Sequence, residues 1–100
     1  MGTYYRRTNL SLISVGTSYN VTVPTSPVTQ IVVSTGYVAC EIANIGPSTI
    51  VYGDSSVTAS SGGMLFYSMN KVFNGITGIF SFYVIADSVA GTIKVIGYKA

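Results

Sequence analysis

The chain has 100 residues, a single-domain length with room for one modest core. Only 8% of them are charged, against about 25% in an ordinary globular protein, and the net charge of +2 is scattered, which argues against a phosphate-tracking surface. Histidine is absent and cysteine occurs once, so a Ser-His-Asp or Cys-His arrangement, a Cys/His zinc site and an internal disulfide are excluded.

Residues 1–8 read as an N-terminal arm and residues 9–100 as one domain. Tyr4, Tyr5, Arg6 and Arg7 form a candidate interaction arm: polar-tipped aromatics beside guanidinium groups that could pair with carboxylates of a neighbour. A frayed terminus is the competing reading. The two arginines are not followed by an apolar stretch of about 7–15 residues, so a signal peptide is not expected. No apolar run approaches the roughly 18–20 residues of a spanning helix, so no membrane partner is expected either.

From Asn9 to Val23 the pattern predicts a hairpin, with Gly16 and Thr17 as its turn between β-branched runs. Pro24 and Pro27 cannot donate to a ladder and predict a connection that crosses between sheets. Residues 28–34 read as a strand, and Thr35-Gly36 as a turn. In residues 37–44, Val38, Cys40 and Ile42 alternate with Tyr37, Ala39, Glu41 and Ala43. Glu41 is expected to face solvent or a salt-bridge partner, and Cys40 to be a small buried apolar residue. Residues 45–48 make a turn, 49–52 a short strand, and 53–56 a second turn. Val57-Thr58 reads as a brief strand, and Gly62-Gly63 as the point where the chain turns back.

Residues 64–67 are apolar again, 68–70 form a polar break, and Lys71 to Phe73 is an edge-like piece. Residues 79–86 are apolar on both faces, with Ile79, Tyr83 and Ile85 opposite Phe80, Phe82 and Val84. Residues 92–98 close the chain, again apolar on both faces. No window has sustained helical periodicity with caps. The expected fold is all-β: a small antiparallel β-sandwich, jelly-roll-like or Ig-like, of about 7–9 short strands.

The three acids are Glu41, Asp54 and Asp87. A glycosidase-like carboxylate pair is formally open, but both aspartates sit in turn contexts with ordinary structural roles. Ser61-Gly62-Gly63 lacks the lysine and following helix of a phosphate loop. No catalytic residue, cofactor-binding residue or metal ligand is assigned, and no enzymatic activity, cofactor or nucleic-acid partner is expected.

Low charge combined with eight tyrosines and four phenylalanines instead suggests association, because interface cores are rich in aromatics and poor in charge. The candidate interface aromatics are Tyr37, Tyr52, Tyr67, Phe80, Phe82 and Tyr98.

The middle of the chain carries a pattern: Asn44 and Gly46 at a turn, Val51-Tyr52-Gly53 ending a short strand, Val57-Thr58, a Ser60-Ser61-Gly62 loop, and a return at Leu65. An aromatic-rich strand at 82–88 and a closing strand at 92–98 follow. Over residues 38–98 the chain resembles small β-sandwich virion proteins of tailed bacteriophages, which serve as head decoration, head-fibre or accessory structural modules. Such modules often have Pro-Gly where this chain has Tyr67, Ser68, Met69 and Asn70.

The resemblance implies a non-enzymatic virion protein, foremost a capsid decoration (cementing) or accessory head protein. Its partners would be copies of itself and the major capsid protein or other virion proteins. A receptor- or glycan-binding module of a fibre or tail, meeting a host-surface glycan, is the alternative, and a neck or tail component a third reading.

Overall fold

The period-two alternation is realised as strands throughout, in a computed structural model that describes residues 14–99, with side chains from residue 18. Eight strands and no helix occur among the described residues: β1 (Ser14–Val23), β2 (Thr29–Val33), β3 (Tyr37–Gly46), β4 (Ile50–Gly53), β5 (Gly63–Leu65), β6 (Asn70–Asn74), β7 (Phe80–Ala86) and β8 (Gly91–Lys99). They form two four-stranded antiparallel sheets, the first in the order β1-β8-β3-β6 and the second in the order β2-β7-β4-β5.

That order has a simple origin. β1 pairs with β8, β2 with β7, β3 with β6 and β4 with β5, so the chain is one long ribbon folded back on itself at the β4–β5 connection. Rolling the ribbon up brings β3 against β8 and β4 against β7, which completes the two sheets. This is a jelly roll, and the Ig-like alternative is set aside by the strand order.

Because the ribbon alternates between sheets, the links β1–β2, β2–β3, β3–β4, β5–β6, β6–β7 and β7–β8 all cross from one sheet to the other. Pro24 and Pro27 occupy the first crossing, as the missing donors predicted, and Pro47 occupies the third. The Ser26-Pro27 and Gly46-Pro47 peptides are cis.

Two local expectations need correction. Gly16 and Thr17 do not turn the chain: both lie inside β1, where the register against β8 shifts between Val15 and Thr17. A strand glycine marks a bulge as readily as a turn, and the flanking residues carry the same β-branched signal in either case. Residues 9–13 lie outside the described residues. Val57-Thr58 is not a strand of the sheets, since Thr58 makes only an isolated bridge with Ser61 across its own loop. Thr35-Gly36 is a turn, as expected, and joins β2 to β3 across the two sheets.

The core lies between the sheets. Cys40, Ile42, Ile93, Val95 and Val23 from the first face Ile31, Val33, Ile50, Leu65, Phe82 and Val84 from the second. Each large aliphatic among them contributes about 1.5–3 kcal/mol by leaving water. Phe73, on the edge strand β6, packs its ring 4.8 Å from Phe82 and 5.3 Å from Phe80, and meets Tyr52 edge-on at 5.9 Å. The aromatics thus weld the two sheets together on the β6 side. Lys71 lies 6.0 Å from the Tyr52 ring and 5.7 Å from that of Phe73, its stem covering the cluster.

The outer face of the second sheet has its own small core. Val51 and Ile85 point outward from β4 and β7, and the loop between β4 and β5 folds back so that Val57 covers them, 6% exposed.

Candidate interaction surface

Successive strands run in opposite directions, so links β1–β2, β3–β4, β5–β6 and β7–β8 gather at one end of the sandwich. All three prolines of the sequence belong to these links. This proline end is organised by one buried side chain. Asn44, near the end of β3 and 1% exposed, donates through Nδ2 to the carbonyls of Ser48 at 2.8 Å and Leu65 at 2.7 Å. Its Oδ1 accepts the Gly46 amide at 2.8 Å. Its backbone N–H bonds the Met69 carbonyl at 2.9 Å, and its carbonyl takes the Ser68 amide at 3.0 Å. Each group is satisfied, as burial in a low-dielectric interior requires.

Gly46 follows in the left-handed region, with φ of 93°, and the Tyr67 ring lies over it where a Cβ would sit at 2.9 Å. The β3–β4 and β5–β6 links are therefore held side by side. On the other side, the buried Ser48 hydroxyl donates to Asp87 Oδ1 at 2.8 Å and accepts from the Ser88 amide at 3.4 Å, tying in the β7–β8 link.

What this scaffold presents to solvent is apolar. Ile45 is 48% exposed, Phe66 52%, Tyr67 66% and Met69 46%. Ile45, Gly46, Pro47 and Tyr67 line an open groove beside the Phe66–Met69 turn. At about 150–250 Å² for a large side chain, these fractions amount to roughly 400 Å² of apolar surface. Across the links 24–28, 45–49, 66–69 and 87–90, Asp87 is the one charged residue. Aromatics and methionine without charge form the composition of an interface core.

The candidate aromatics are dispersed. Phe82 is buried in the core, and Phe80, Tyr52 and Tyr37 pack against it. The Lys99 ammonium lies 5.4 Å from the Tyr37 ring. Tyr98 is half-buried on the outer face of the first sheet. Only Tyr67 of the six is an exposed large side chain, and it stands at the proline end. Tyr4, Tyr5, Arg6 and Arg7 lie outside the described residues. Sequence reasoning missed Ile45, Phe66 and Met69 as surface residues and Asn44 as a buried organiser. The available signal was a turn with three apolar side chains where polar ones are usual.

Several ionisable groups among the described residues are engaged in structure. Glu41 accepts hydrogen bonds from the Tyr98 hydroxyl at 2.7 Å and from the Asn70 side-chain amide. It therefore meets neutral donors rather than the salt-bridge partner considered above. That hydrogen bond, followed by burial, pushes Tyr98 up to about 12. Cys40 is buried between the sheets, and burial followed by the neighbouring Glu41 raises its thiol to about 11, far from a reactive thiolate. Asp54 accepts the Ser56 hydroxyl at 2.5 Å and its amide at 2.9 Å, which hold its carboxyl below the usual range. Asp54 and Asp87 follow the antiparallel neighbours β4 and β7, which places them at opposite ends of the sandwich. No group of three or more metal-capable side chains occurs among the described residues.

No protein-family profile, curated protein or solved structure matches the chain significantly.

Proposed function

We propose that this protein is a non-enzymatic structural subunit of a tailed-phage particle, and within that class a decoration (cementing) subunit of the head. The observation that carries the reading is the proline end. Residues 41–65, which hold most of the resemblance to phage virion modules, supply Ile45 and Pro47 to an almost uncharged apolar surface that the 66–69 link completes. The jelly roll is an architecture used by viral capsid domains, which is compatible with this role without establishing it.

The energetics suit a shell protein. About 400 Å² of apolar surface is worth on the order of 10 kcal/mol at about 25 cal/mol per Å². Association itself costs about 4–15 kcal/mol, so one patch against a partner that adds little apolar surface of its own is marginal. Many contacts repeated over a closed lattice, with several per subunit, reinforce one another.

The test is direct. Purified protein is mixed with undecorated heads of its phage, and binding and the temperature of head disruption are measured. Saturable binding with a raised disruption temperature is expected; absence of binding refutes the reading.

One observation favours a second reading. Tyr67 is two-thirds exposed beside an open groove, and such a ring can stack on a sugar face in a receptor- or glycan-binding module. Location separates the two: many copies over the head favour decoration, and a few at a fibre tip favour adhesion. Copies at the neck or tail would indicate a component of those parts.

A further inference from the structure

We infer that the proline end binds a second copy of this chain through a twofold contact. The inference rests on the structural-subunit reading only for its biological setting.

In a twofold interface the same patch meets itself, so a patch with a net charge of one sign meets that same sign on the copy. A patch almost free of charge avoids this repulsion. The proline end has Asp87 alone, already bonded to Ser48, and the whole chain carries only +2. A partner chosen by charge complementarity would need the opposite composition.

Self-contact also requires a projection and a recess on the same surface, so that each copy's projection fills the other's recess. Phe66 and Met69 are half-exposed on the β5–β6 turn, and the groove of Ile45, Pro47 and Tyr67 lies beside it. Asn44 joins the two links, holding recess and projection at a fixed spacing. Little ordering is then left to be done on binding.

The area agrees as well. A stable homodimer buries about 800 Å² per partner, about 65% of it apolar, which asks for roughly 500 Å² of apolar surface. The roughly 400 Å² of the four exposed side chains, sized as aromatics are, supplies most of this, and the exposed Pro47 adjoins them.

The experiment is sedimentation equilibrium on the full chain, with hydrogen exchange followed across the same concentration range. A dimer is expected, with amides of 44–46 and 66–69 gaining protection as it forms. Phe66→Glu and Met69→Glu, both at exposed positions, should keep the circular dichroism of the parent and raise the dissociation constant roughly 30-fold or more. A monomer at every concentration overturns the inference. So does a dimer that both folded variants retain, with protection appearing elsewhere.

Head binding separates this from the proposed function. A monomer that still decorates heads rejects the twofold contact alone, whereas a dimer held at 44–47 and 66–69 that ignores heads supports it and rejects decoration.

Discussion

Asn44 Nδ2 and the Leu65 carbonyl, 2.7 Å apart, join β3 of the first sheet to β5 of the second at the end where both strands finish. A buried amide spans the gap between sheets that apolar contacts span elsewhere. It also fixes the two links that carry the exposed apolar patch, so packing and proposed function meet at one residue.

Replacing it tests that coupling. Asn44→Ala leaves the Ser48 and Leu65 carbonyls and the Gly46 amide without their partner in a buried setting. The expected loss is about 3 kcal/mol, since one unsatisfied buried group costs about 1–3 kcal/mol. Urea denaturation measures it, and a change under half of one kcal/mol would show the network to be idle.

Gly46→Ala should act on the same end by a different route. A side chain there must accept a φ of 93° and displace the Tyr67 ring. The expected cost is about 1–2 kcal/mol, or roughly 5–10 °C in melting temperature for a domain of this size. Tyr67 fluorescence or ring shifts should change with it, because the ring loses its seat.

Val57 is the anchor of the loop between β4 and β5. Val57→Ala removes two methyl groups from the cover over Val51 and Ile85 and should cost about 1.5 kcal/mol. The diagnostic result is local: faster hydrogen exchange and protease cleavage within residues 54–62, with the two sheets unchanged. Uniformly faster exchange would mean that the loop is part of the global unit.

Alkali should destabilise the protein through Cys40 and Tyr98. Both groups are raised in the fold, Cys40 from 9.0 to about 11 and Tyr98 from 10.0 to about 12. Above its ordinary value the unfolded chain releases the proton while the folded chain keeps it, so their contribution is complete below pH 9 and lost as pH rises through these windows. Urea midpoints from pH 8 to 11 should fall, and Cys40→Ala should flatten that fall even though it also removes packing. An equally steep decline in the variant would assign the effect to other groups.

Much of the fold was legible because strand chemistry is local. Phe80, Phe82 and Val84 alternate with Tyr83 and Ile85 as period-two side chains must, and Pro24 and Pro27 announced a crossing by lacking donors. Gly16 misled because a bulge and a turn ask the same thing of a glycine. The Val57-Thr58 pair read as a strand because β-branched residues signal a strand equally well when one of them is a plug. Asn44 beside a Gly-Pro turn looks like ordinary turn chemistry, and only the approach of β5 converts it into a buried hub.

By itself, then, the sequence determined an all-β chain of short strands, the two faces of each strand and the places where the ladder breaks. These follow from backbone stereochemistry and side-chain alternation, which act over a few residues. The tertiary structure decided the pairing of β1 with β8 and β4 with β7, and with it which apolar face is buried. It also separated Phe82, sealed between the sheets, from Tyr67, left in solvent at the proline end. An aromatic residue leaves water only when another part of the chain covers it, and which part does so depends on how the folded ribbon rolls up.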